Sequence, residues 1–218
     1  MIRLNPSECR MLGVLVEKAH TSSVYPLSLN AAADGCNQKS NRDPVVNYDE
    51  QIVLRALEGL QGKRLVYFAE TLGARVTKFR HNARETLGVE EHELLVLTEL
   101  LLRGPQTAAE LRMRASRMRP IESVEVVHEA LRNLMDRPEP LVQRIPGGRA
   151  ERFAQLLCPD LHSLAEPTGA PVAGGEPAPD ATGRLERLET EVARLRGIVE
   201  RLADALGAGD ILNPPGDQ

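Results

Sequence analysis

The chain has 218 residues, enough for one large domain or two small ones with additions, and a net charge of −4. Its hydrophobic fraction of 42% supports an ordinary core, but aromatics make up only 3% and tryptophan is missing, so that core must be built from Leu, Val and Ala. No apolar run approaches the ~20 residues of a membrane helix, and the start lacks an apolar signal segment, which points to the cytoplasm and away from a membrane.

Charge is uneven: residues 1–88 carry +3, residues 89–162 carry −2 and residues 163–218 carry −5. That is well short of the balance of a dedicated nucleic-acid binder. Cys9, Cys36 and Cys158 are odd in number and far apart in sequence. They make neither a disulfide framework nor a metal knuckle.

Residues 5–19 predict a helix capped by Asn5 or Ser7, with Leu12, Leu15, Val16 and Ala19 on one buried face. Residues 25–49 follow, the stretch around which the chain is organised. Pro26-Leu27-Ser28 opens a short helix over 28–36, with the serine hydroxyl accepting from a first-turn amide. Asn37-Gln38-Lys39-Ser40-Asn41-Arg42 forms a polar turn ending at Pro44. A third helix starts near Asp49 and buries Val53, Ala56, Leu57 and Leu60. The runs Leu65-Val66-Tyr67-Phe68 and Arg75-Val76-Thr77-Lys78-Phe79-Arg80 then predict a β-hairpin. Three helices followed by a hairpin make a winged helix.

The pattern recurs. An apolar helix over 90–102 stops at Arg103-Gly104-Pro105, and Thr107-Ala108-Ala109-Glu110 is a capping box. Val127, Ala130, Leu131 and Leu134 repeat the stripe of residues 53–60 at an offset of 74 residues. Leu141–Ile145 and Glu151–Leu156 flank a second turn. The expected fold is therefore α+β, mostly α: winged-helix domain 1 at 1–86 and winged-helix domain 2 at 87–162. Residues 163–183 are rich in Ala, Pro and Gly and read as a flexible linker. Over 184–207, Leu185, Leu188, Val192, Leu195, Val199, Leu202 and Leu206 step alternately by three and four, a coiled-coil seam suited to a homodimer. The other reading is an amphipathic helix folded back on its own chain.

Several of these segments carry a family resemblance. Tyr25-Pro26-Leu27-Ser28-Leu29-Asn30 with Cys36-Asn37-Gln38-Lys39-Ser40-Asn41-Arg42-Asp43-Pro44-Val45 resembles the signature of the YceH family of bacterial proteins. Arg75-Val76-Thr77-Lys78, Leu100-Leu101-Leu102-Arg103-Gly104 and Thr107-Ala108-Ala109-Glu110-Leu111-Arg112 fit the same family. The resemblance covers roughly residues 3–160. It implies two winged-helix domains and no established activity.

Winged helices usually place the third helix in the DNA major groove. Here the outward residues of those helices are Gln51, Arg55 and Glu58, and Glu125, Glu129 and Arg132, an acidic mixture that phosphates repel. Candidate phosphate contacts lie elsewhere: Asn37, Gln38, Lys39, Asn41 and Arg42 in the first turn, Arg112, Arg114, Arg117 and Arg119 in the second, and Arg75, Lys78 and Arg80 on the first wing. Two bland alternatives stand beside this. The arginines form a solvated face or pair with Glu110 and Glu122, and the amide-rich cluster satisfies its own turn. The histidines are scattered, no nucleophile motif or phosphate-cradling loop occurs, and no cofactor or metal is implied. The expectation is a binding module, not an enzyme, with duplex DNA or another protein as partner.

Overall fold

The computed structural model describes residues 2–69, 76–145 and 150–162. The expected linker and the seam Leu185 to Leu206 lie outside them, as does Arg75. Over these residues the chain is mixed α and β, with more helix than strand and two small antiparallel sheets.

Helix α1 (Pro6–Thr21) starts at Asn5, whose side chain accepts from the Glu8 amide while Glu8 reaches back to the Asn5 amide. This box satisfies two orphan donors of the first turn. Strand β1 (Leu27–Ser28) leads directly into α2 (Leu29–Cys36), capped by the Ser28 hydroxyl, and Asp49 caps α3 (Glu50–Gly62). Strands β2 (Val66–Ala69) and β3 (Lys78–His81) pair antiparallel, and β1 adds to the free edge of β3, giving the order β1-β3-β2. The short α4 (Ala83–Leu87) ends at Gly88, whose φ of +60° suits the left-handed cap.

The second half repeats the succession: α5 (Glu91–Arg103), α6 (Ala108–Ala115), α7 (Val124–Met135), then β4 (Val142–Ile145) paired with β5 (Arg152–Gln155). Thr107 and Glu110 make the expected reciprocal cap. Val53, Ala56, Leu57 and Leu60 are all buried, as are Val127, Ala130, Leu131 and Leu134. Two-residue β1 and five-residue α4 had no sequence signal long enough to show a period.

The described residues fall within one compact unit, Met1–Thr168. The expected boundary at 86/87 lies inside it, and one continuous apolar core runs through both halves. The reason is the packing of α1 on α5. The sequence gives α1 one apolar face, yet every residue from Glu8 to Glu17 is buried, because α2 and α3 cover one side and α5 covers another. Helix α5 is likewise buried from Glu93 to Leu102. Helices buried all round belong in the middle of a fold. The crossing is close: a Cβ at Gly13 would lie 2.8 Å from Leu102 Cδ2. Backbone bonds stitch the same seam, Leu4 N to Leu157 O at 2.8 Å and Asp43 N to Leu102 O at 2.9 Å. Among the described residues no helix is long and apolar enough to cross a membrane.

Candidate nucleic-acid interface

The polar turn after α2 is built by its own side chains. Asn37 continues the helix cap, its amide donating to Ala33 O, while its side chain clamps residue 48: Nδ2 donates to Tyr48 O at 2.8 Å and Oδ1 accepts from Tyr48 N at 2.7 Å. Gln38 Oε1 accepts from Arg42 and Lys18. Asn41 takes a φ of +61°, a conformation that asparagine tolerates well. Arg42 turns inward. Its side chain is fully buried, Nη2 lies 2.5 Å from Glu17 Oε2, Nη1 donates to Glu17 Oε1 and Asn41 O, and Nε and Nη2 both donate to Gly35 O. Lys39 stays exposed.

The loop after α6 reaches the same spot from the other half. Arg117 pairs with Glu17 Oε1 and, at 2.9 Å, with Glu99 Oε1. Glu99 also faces Arg103 Nε at 3.4 Å, and Arg103 Nη2 donates to Asn41 Oδ1. Three guanidiniums therefore surround two carboxylates at the junction of the halves. Arg114 stands beside them, donating to Gln106 Oε1 at 2.6 Å, and Gln106 in turn donates to Glu99 O. Its second partner, Glu110, lies 3.4 Å away.

The electrostatics follow from burial and partners. Desolvation alone would raise the Glu17 carboxyl, but hydrogen bonds and charge from Arg42 and Arg117 outweigh it and hold the group below its ordinary value. Burial would lower Arg117, yet Glu99 and Glu17 keep it above its ordinary value. Arg103 is lowered by desolvation, beyond what Glu99 restores, with Arg114, Arg117 and Arg42 adding like charge. Among the described residues the junction thus holds three guanidiniums against two carboxylates. The side chains of Arg103, Arg114 and Arg117 remain 22%, 27% and 28% exposed at its rim.

The other expected contacts are dispersed. Arg112 donates to Glu122 O at 3.0 Å, and Arg119 pairs with Glu91 at 2.6 Å. Lys78 and Arg80 lie on β3, Arg80 exposed and Lys78 half-buried. Gln51, Arg55 and Glu58 are exposed on α3, and Glu125, Glu129 and Arg132 on α7. The structure therefore joins Gln38, Asn41, Arg42, Arg114 and Arg117 at one place, and leaves Arg112, Arg119, Lys78 and Arg80 outside it.

Glu17, Glu99 and Arg103 escaped the sequence reading, which looked to Glu110 and Glu122 as neutralising partners. A signal existed. Glu17 abuts the buried stripe of α1, and Glu99, after Thr98, interrupts a long apolar run. A carboxylate in such a place must be paired.

Arg10 is also wholly buried, with Nη2 2.5 Å from Pro44 O, while Nε and Nη1 have no hydrogen-bond partner among the described residues. All three cysteines are buried. Burial, then a hydrogen bond with the Cys158 thiol, pushes Cys9 well up, and burial pushes Cys36 up to about 12, so both stay protonated. Among the described residues no group of three His, Cys, Asp or Glu side chains is placed to hold a metal ion.

Residues 4–152 match the family model described as "Protein of unknown function, DUF480". A UPF0502 protein of Pelobacter propionicus is 48% identical over 91% of this chain and 93% of its own length. A UPF0502 protein of Burkholderia vietnamiensis is 43% identical over 98% of this chain and 93% of its own. One from Burkholderia multivorans is 44% identical, with the same two shares. Sequence, length and the matched region agree, and the chain belongs to the DUF480 (UPF0502) family of bacterial proteins of unknown function.

Proposed function

We propose that this protein is a non-enzymatic, DNA-associated regulator of the cytoplasm, built as two tandem winged helices and paired with a second copy through the seam Leu185 to Leu206. The succession of three helices and a hairpin in each half supports the winged-helix reading, as does the YceH resemblance. The observation that carries the function is the junction of the halves. Arg42, Arg103 and Arg117 outnumber Glu17 and Glu99, and Arg103, Arg114 and Arg117 reach solvent there, with exposed Lys39 on the adjoining turn. Uncompensated guanidinium at a partly open surface attracts phosphate. The acidic outer faces of α3 and α7 favour contact with the sugar–phosphate backbone over base reading.

Fluorescence anisotropy with a labelled duplex tests this. Binding at about 50 mM salt should weaken steeply towards about 200 mM, and Lys39→Ala should flatten the log–log slope by about one. No binding at about 50 mM salt contradicts the reading.

The acidic face of α7, with Glu125 and Glu129 exposed, favours a second reading as a scaffold that docks a partner protein. Under that reading, affinity purification from the native host keeps a partner after nuclease treatment.

A further inference from the structure

The three-stranded sheet of the first half has an inner and an outer face, fixed by register. Leu27, Phe79 and Phe68 form one row across the strands, and Val66 pairs with His81 beside it. Leu27, Val66 and Phe79 are buried, so this side of the sheet meets the core, although Phe68 in the same row is 42% exposed. The alternate rows must then face out, because side chains alternate along a strand. They are Ser28–Lys78–Ala69 and Arg80–Tyr67.

This outer face has a definite chemistry. Tyr67 is 40% exposed, on the edge strand β2. Its hydroxyl is met by Asn82 Nδ2 at 3.4 Å, leaving the ring to present a flat surface. Arg80 stands directly across the ladder from it, and Lys78 follows two residues along β3, about 7 Å away. None of the five outward residues is acidic. Among the described residues neither Lys78 nor Arg80 has a carboxylate partner. In a chain of net charge −4 with one exposed tyrosine, a ring flanked by two cations that have no carboxylate partner among the described residues is a selective combination. Cations alone would suit any polyanion. An exposed ring beside them suits one whose bases are unstacked and free to lie on it, whereas a duplex keeps its base faces stacked inside.

We infer that the outer face of this sheet is a binding platform for an unpaired nucleic-acid strand, with one base stacked on Tyr67 and the adjacent phosphates held by Arg80 and Lys78. The inference rests on the nucleic-acid reading above and adds to it a second site, away from the junction, with its own preference.

Anisotropy with the full chain, a labelled oligo(dT) and a duplex of matched length tests it. Wild type binds both. Tyr67→Ala weakens oligo(dT) binding by about 5- to 100-fold and changes duplex binding less than about twofold, while Tyr67→Phe keeps the oligo(dT) affinity, because stacking needs the ring and not the hydroxyl. Paired replacement Lys78→Ala with Arg80→Ala weakens oligo(dT) binding and lowers its salt slope by about 1–2. Duplex binding with oligo(dT) affinity unchanged by Tyr67→Ala overturns the platform and leaves the junction reading standing. Failure to bind either nucleic acid overturns both.

Discussion

Glu17→Gln should destabilise the folded chain by about 3–5 kcal/mol, the effect of removing one partner from a buried ion cluster. Glutamine keeps the shape of glutamate and loses its charge. Arg42, whose side chain is fully buried, would then hold a charge facing only neutral acceptors, Gly35 O, Asn41 O and Gln38 Oε1. Arg117 would keep Glu99 alone. For a unit of this size the loss corresponds to a fall in Tm of about 6–20 °C. Arg84→Ala is the control. It breaks the pair with Glu90, whose side chains are 48% and 77% exposed, and such pairs contribute about 1 kcal/mol or less.

The pH dependence has a fixed sign. The Glu17 carboxyl sits below its unfolded value in the folded chain, so its contribution is complete above about pH 4.3 and is lost as pH falls through the lowered folded value. Wild type should therefore lose stability on acidification faster than Glu17→Gln, and the two curves should converge at low pH. Denaturant melts from neutral to acid pH would show this. Parallel curves would mean that Glu17 carries no such role.

Gly13→Val should destabilise the chain by about 1–3 kcal/mol or more, through overpacking at the crossing of α1 and α5. A Cβ there meets Leu102 Cδ2 and Cγ at 2.8 and 2.9 Å, and Leu101 Cβ at 3.5 Å, so even the first added carbon needs Leu102 to move. A valine adds two methyl groups in a place already full. Leu102→Ala alone opens a cavity in the core at about 2–5 kcal/mol. Combined, the two changes should be less harmful than their sum, because the valine methyls occupy the room the leucine leaves. Strict additivity in urea melts would show that the helices do not meet at this point.

The helices and hairpins were legible because each rests on local chemistry. The stripes Val53 to Leu60 and Val127 to Leu134 follow the helical period, and Thr107 with Glu110, or Asn5 with Glu8, are caps that close within one turn. The stop at Gly104 was equally local, since its φ of +74° excludes most other residues. The docking of α1 on α5 was not legible. It depends on residues 92 apart, such as Cys9, whose Sγ approaches Leu101 O. The fates of Arg42 and Arg117 were hidden for the same reason. Their partner Glu17 sits 25 residues before Arg42 on another helix, beyond the reach of any spacing rule. The amide-rich turn also proved to be mostly self-satisfying: Asn37 locks Tyr48, and Gln38 and Asn41 serve arginines. Of its side chains, Lys39 and Ser40 remain turned to solvent.

The two halves form one folded body, joined by α1 against α5 and by the ion cluster between them. Pulsed hydrogen exchange across a urea series, read by mass spectrometry, measures this directly in peptides from α2–α3 and from α6–α7. One shared midpoint is expected, displaced equally in both sets of peptides by Glu17→Gln. Two separate midpoints, with only the first half responding to that change, would contradict it.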